Sequence, residues 1–142
     1  MSKLAFIFPG QGAQKAGMGK DFYENSEAAR SFFDQAQKIL DFDLKEMCFG
    51  EHEELNLTEY TQPCMVSVCL AIVQELKKRG INPDITAGLS LGEYAAVAAA
   101  DGMNELDAIK LVRRRGILMQ STVPAGEGAM AAVLGLDAKK IE

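Results

Sequence analysis

Ser90 stands between two glycines in Gly88-Leu89-Ser90-Leu91-Gly92, the G-x-S-x-G pattern of a serine displayed on a tight turn. Ahead of it runs Ile85-Thr86-Ala87, short, apolar and bounded by Pro83, as a buried strand would be. Behind it Glu93 to Ala100 is an alanine-rich helix former that Asp101-Gly102 stops. A strand turning sharply into a helix presents the hydroxyl on a strained turn, and the glycines let neighbouring backbone approach without Cβ clashes. The helix N-terminus supplies free N–H groups and a positive dipole end to a developing oxyanion. Nucleophilic attack by the serine hydroxyl is the chemistry this arrangement serves. The same residues also fit a turn whose serine does no more than cap a helix.

Arg115 is the second candidate. At about 100° per residue along a helix from Asn104 to about Met119, one arc collects Ala108, Ile109, Leu111, Val112, Leu118 and Met119. Arg115 falls inside that arc, whereas Lys110, Arg113 and Arg114 fall outside it. A guanidinium on an apolar face needs a carboxylate partner or a polar cavity, because an unpaired buried charge is very costly. Two readings fit: a structural ion pair with an internal acid such as Glu93, or a bidentate clamp on a substrate carboxylate. A third candidate is the loop Gly10-Gln11-Gly12. It is not a G-x-G-x-x-G fingerprint, since Ala13, Gln14 and Lys15 follow without a third glycine. It reads either as a plain strand-to-helix connection or, at the carboxyl edge of a parallel sheet, as the source of a backbone N–H. That N–H would complete an oxyanion hole with the N–H of Leu91.

The elements that must position these residues alternate between strand and helix. Leu4-Ala5-Phe6-Ile7-Phe8 is a continuous apolar run ending at Pro9-Gly10, as expected of a strand covered on both faces. A glycine-rich loop through Gly19 leads to a helix from about Ser26 to Leu40, with Phe32, Phe33, Ala36 and Ile39 at helical spacing. A weakly defined acidic connection reaches Leu55. Thr58 is a candidate cap for a long helix with Val66, Leu70, Val73 and Leu76 buried, ended by Gly80. The alternation argues an α/β fold with a mainly parallel sheet and flanking helices. Val123 to Gly128 reads as a linker, and Ala129 to Leu136 as a further buried strand, with Asp137 capping a helix start. A strand and one helical turn cannot bury themselves alone, so residues 126–142 are expected to open a second subdomain that is cut off.

The 142 residues suit one globular domain, with a net charge of −5 spread along the chain. Arg113-Arg114-Arg115 is too small a basic cluster for nucleic acid, and no apolar run approaches the roughly 18 residues of a membrane span. The N-terminus lacks the apolar core of a signal peptide, so the chain is expected in the cytoplasm. Cys48, Cys64 and Cys69 lack C-x-x-C spacing and read as reduced thiols without a metal. His52, the single histidine, lies among Glu51, Glu53 and Glu54 and makes a poor catalytic base.

Phe8-Pro9-Gly10-Gln11-Gly12-Ala13-Gln14, Tyr60-Thr61-Gln62-Pro63, Gly88-Leu89-Ser90-Leu91-Gly92-Glu93-Tyr94 and Arg115-Gly116 together resemble, in order, the motifs of malonyl-CoA:acyl-carrier-protein transacylases. The resemblance implies that Ser90 is acylated and that Arg115 holds the malonyl carboxylate. It also implies that the N–H groups of Gln11 and Leu91 form the oxyanion hole and that Gln62 lines the pocket. The implied reaction is ping-pong, from malonyl-CoA to Ser90 and on to acyl carrier protein, in fatty-acid biosynthesis and without a cofactor. Two departures are visible. Leu89 stands where many members have histidine. The family's general-base histidine, from the far part of a longer polypeptide, would lie beyond position 142. On this resemblance residues 1–125 are the N-terminal part of a hydrolase-like subdomain. Residues 126–142 begin a ferredoxin-like one, and the missing C-terminal part is an expected partner. Two other readings compete: an esterase with the same elbow, which has no use for Arg115, and a non-catalytic module that holds acyl carrier protein or coenzyme A.

Overall fold

The computed structural model describes residues 3–123, 126–128 and 133–140. Two parallel strands, β1 (Ala5–Phe8) and β2 (Ile85–Gly88), pair in register from Ala5 opposite Ile85 to Phe8 opposite Gly88. Four helices fill the crossover: α1 (Lys20–Asn25), α2 (Glu27–Gln37), α3 (Leu44–Phe49) and the central α4 (Thr58–Lys78), with a 3₁₀ turn at Glu53–Asn56 before α4. The elbow helix α5 (Gly92–Ala99) and the long α6 (Glu105–Thr122) follow β2. The fold is α/β with a small parallel sheet.

Three of the six described α-helix starts carry a side-chain cap, whereas Thr58, expected to cap α4, is instead its first residue, and Leu57 ahead of it makes no capping hydrogen bond. Ser26 Oγ accepts the Ala29 N–H at 3.0 Å ahead of α2, and Asn104 Oδ1 accepts the N–H groups of Leu106 and Asp107 at 3.0 and 3.2 Å ahead of α6. Gly80, at φ 76°, terminates α4 in the left-handed conformation. α4 is buried all round from Thr61 to Val68 and packs against α2, α5 and α6. Phe33, Leu70, Ile109 and Val112 are fully enclosed there, each contributing about 1.5–3 kcal/mol by leaving water.

Several expectations are corrected. Helices α1 and α3 occupy stretches read as loop and as a weakly defined connection. α3 carries its own start signal, since Asp43 Oδ1 accepts the Glu46 N–H at 3.0 Å. Among the described residues β1 is covered on one face only. Phe8 is buried and Thr86 Oγ1 donates to the Ala96 carbonyl of α5 at 2.9 Å, while on the opposite face Ile7 is 78% and Ile85 61% exposed. Alternate residues of a strand point to opposite faces, and among the described residues the helices pack on one of them. The strand expected over Ala129 to Leu136 is absent where it is described. Residues 133–136 are irregular and exposed, with Gly135 at φ 76°, while 129–132 lie outside the described residues. Among the described residues the sheet holds β1 and β2 alone, so 133–136 pair with no strand and leave their backbone groups to water. Asp137 does cap the turn that follows, accepting the Lys139 N–H at 3.1 Å before the 3₁₀ turn Ala138–Lys140.

Candidate active site

β2 ends at Gly88 and the chain reverses through Ser90, which adopts φ 49°, a left-handed conformation rare for a serine. Such a residue costs of order 1–3 kcal/mol and persists where its surroundings fix it. Here the Leu89 N–H donates to the Phe8 carbonyl at 3.1 Å, extending the ladder one residue past the strand. The Gly92 N–H donates to the Leu89 carbonyl at 2.9 Å and the Glu93 N–H to the Ser90 carbonyl at 3.2 Å, closing the turn into α5. Both flanking glycines are sterically required. A Cβ on Gly88 would lie 2.1 Å from the Gly92 carbonyl carbon, and one on Gly92 would lie 2.3 Å from the Phe8 carbonyl oxygen. Ser90 itself is exposed at the top of the turn.

The loop after β1 lies beside this elbow. The in-register pair Phe8 and Gly88 brings both loops to the same carboxyl edge, and a Cβ on Gly10 would stand 2.9 Å from the Leu89 carbonyl oxygen. Gln11 Nε2 donates to Thr58 Oγ1 at 3.0 Å, tying the loop to the start of α4. The Gly12 N–H donates to Gln14 Oε1 at 2.8 Å, and Gln14 Nε2 donates to Asn56 Oδ1 at 3.1 Å. Among the described residues the backbone N–H groups of Gln11 and Leu91 have no hydrogen-bond acceptor.

Arg115 reaches the elbow from α6. Its Nη1 donates to Gln62 Oε1 at 2.8 Å, its Nη2 lies 3.4 Å from Ser90 Oγ, and its guanidinium carbon sits 5.6 Å from the centre of the Tyr94 ring. No carboxylate of a described residue lies within 4.0 Å of it. The ion pair with Glu93 is therefore not formed, and Glu93 faces solvent. Gln62 is fully buried and its Nε2 donates to Met119 Sδ at 3.3 Å, so its oxygen is the end turned to the guanidinium. A cleft of 670 Å³ opens beside Met119, lined also by Thr58, Leu118 and Gln120.

The chain matches the acyl transferase domain model over residues 5–141. It belongs to the acyl transferase domain family. Across its whole length it is 50% identical to a malonyl CoA-acyl carrier protein transacylase of Bacillus subtilis, of which it covers 45%. Among solved structures it is similar to the malonyl CoA-acyl carrier protein transacylase of Clostridium perfringens, at a TM-score of 0.89 and 42% identity, over 99% of this chain and 45% of that one. It is equally similar, at a TM-score of 0.89 and 40% identity over 99% of this chain and 46% of the other, to a malonyl-transacylase solved in complex with a type II PKS acyl-carrier protein. The chain thus spans about half the length of the curated relatives it matches.

In this acyl transferase domain the sequence-derived candidates Ser90, Leu91, Gln62 and Arg115 come together at one end of the sheet, with the Gln11 loop against them. The apolar arc of α6 is narrower than its periodicity suggested. Ala108, Ile109, Val112 and Gly116 are buried, but Leu111, Leu118 and Met119 are 45%, 50% and 38% exposed. His52 Nε2 is engaged by Glu46 Oε1 at 3.0 Å at the end of α3. The described residues hold no cluster of three or more metal-ligating side chains, and no described helix is long and apolar enough to cross a membrane. Two features escaped the sequence reading. One is the tether from Gln11 to Thr58, which no local pattern announces. The other is Arg113, placed outside the buried arc yet only 13% exposed at its side chain and paired with Asp41 and Glu59.

Proposed function

We propose that these residues form the nucleophile, carboxylate clamp and oxyanion donors of a malonyl-CoA:acyl-carrier-protein transacylase. Ser90 Oγ attacks the thioester carbonyl of malonyl-CoA, the C–S bond breaks, and the coenzyme A thiol leaves with the serine proton. The phosphopantetheine thiol of acyl carrier protein then attacks the malonyl-serine ester and regenerates the hydroxyl, supplying fatty-acid biosynthesis without a cofactor. The N–H groups of Gln11 and Leu91 stabilise the oxyanion in each half-reaction; one such donor contributes about 10²–10³-fold. The general base comes from the polypeptide outside these 142 residues, in keeping with relatives roughly twice as long and with His52 held by Glu46. In that longer protein residues 1–125 belong to the hydrolase-like subdomain and residues 126–142 begin the ferredoxin-like one.

The observation that carries this reading is Arg115. Its fork faces Ser90 Oγ and is steadied by buried Gln62, with no described carboxylate to neutralise it. An esterase has no use for such a cation, whereas a malonyl group brings the carboxylate that the planar fork recognises bidentately. The test is transfer by the full-length protein from malonyl-CoA and acetyl-CoA. Arg115→Ala is expected to lose malonyl transfer far more than acetyl transfer, and an equal loss for both would overturn the clamp.

A further inference from the structure

α4 contains a proline where its hydrogen-bond ladder should continue. Pro63 has no N–H, so the Glu59 carbonyl four residues earlier has no donor within its own helix. Arg113 Nη1 supplies one at 2.8 Å and reaches Glu59 Oε2 at 3.1 Å. The rest of the guanidinium grips Asp41 bidentately, Nε to Oδ1 at 2.9 Å and Nη2 to Oδ2 at 3.0 Å. It also lies 5.2 and 5.0 Å from the ring centres of Phe42 and Tyr60, two rings that meet edge to face. Burial works against the Arg113 charge, but its hydrogen bonds and attraction to Asp41 and Glu59 outweigh that and raise its pKa above the ordinary arginine value.

One turn further along α6, Gly116 brings the two helices into contact, since a Cβ there would stand 2.8 Å from Glu59 Cα and from the Thr58 carbonyl oxygen. α6 therefore bears on the first turn of α4 at positions 113 and 116, and Arg115 lies between them. The same stretch of α4 carries Gln62, whose Oε1 accepts from Arg115, and Thr58, whose Oγ1 accepts from Gln11.

We propose that Arg113 is a positioning residue: by completing the backbone that Pro63 interrupts, it sets Gln62 against Arg115 and so tunes selection for a carboxylate-bearing acyl group. This rests on the transacylase reading above. The alternative is a clamp that merely stabilises the fold, and the ratio of malonyl to acetyl transfer separates the two.

The experiment uses the full-length protein. Arg113→Met is expected to lower kcat/KM for malonyl-CoA about tenfold, mainly through KM, while changing acetyl transfer less than about twofold. Adding Pro63→Ala returns an N–H to the Glu59 carbonyl and should recover about threefold of that loss. Equal losses for both acyl groups, or no recovery with Pro63→Ala, overturn the proposal. Arg113→Lys keeps the charge without the fork and decides the matter if the methionine variant fails to fold. A malonyl-to-acetyl ratio lowered about threefold supports the proposal, and an unchanged ratio overturns it. Arg115→Ala is measured alongside. If it shifts the ratio and the Arg113 variants do not, this inference alone falls; if it leaves the ratio unchanged, the transacylase reading falls with it.

Discussion

Replacing Gln62 with leucine should separate activity from stability. Gln62 is fully buried, its oxygen accepts from Arg115 Nη1 at 2.8 Å, and among the described residues its nitrogen donates only to a thioether, Met119 Sδ, at 3.3 Å. Leucine has nearly the same volume and carries no polar atom, so the core loses one neutral amide rather than gaining an orphaned group. Arg115 is half-buried and its freed N–H can turn to water, which keeps the folding penalty to about 1 kcal/mol or less. A hydrogen bond to a charged group contributes about 1.5–3 kcal/mol where its geometry is fixed. If that energy holds the guanidinium in place for substrate, at 1.36 kcal/mol per tenfold its loss lowers malonyl transfer by roughly 10- to 150-fold. The assay is kcat/KM for malonyl transfer by the full-length protein, with thermal unfolding of the same variant. A large fall in Tm with loss of activity for every acyl group would refute the reasoning, and so would unchanged malonyl transfer.

Two further outcomes follow from the same geometry. Gly92→Ala places a methyl group 2.3 Å from the Phe8 carbonyl oxygen, so the elbow must shift, and denaturant unfolding should show a loss of about 1–3 kcal/mol or more. The hydrogen bond from Arg113 holds the Asp41 carboxyl below its ordinary value of 3.8. The ionised form is therefore favoured in the folded state, giving stability present above the unfolded pKa and lost as pH falls through the folded one. The stability gap between wild type and Asp41→Asn should accordingly close below about pH 4, and stay open there if the pairing is not responsible. Asp41 is 67% exposed, so the gap should be small and should shrink with added salt.

The elbow was legible because its determinants are local: two glycines, a short apolar strand and an alanine-rich helix within a few residues of Ser90. Arg115 was legible through helical periodicity, but its ligand was not, since the Gln62 contact spans 53 residues of sequence. Arg113 was misplaced for the opposite reason. Its Cα lies off the buried arc, yet a long side chain reaches back across the helix to Phe42, Tyr60 and Asp41, which periodicity at the Cα does not register. The short helices α1 and α3 have too few turns for an apolar period, and only the Asp43 cap before Glu46 marks one of them. β1 reads as apolar throughout, which suggested cover on both faces. Among the described residues the side bearing Ile7 and Ile85 is open, because strand composition reports what a face is suited to bury rather than which segment buries it.

The central claim is that Ser90 receives the malonyl group. Full-length protein mixed with malonyl-CoA and quenched within a turnover should carry one malonyl group per chain, mapped by peptide mass spectrometry to the segment spanning Gly88 to Gly92, and Ser90→Ala should carry none. Label on any other residue, or label that survives in Ser90→Ala, would contradict the account.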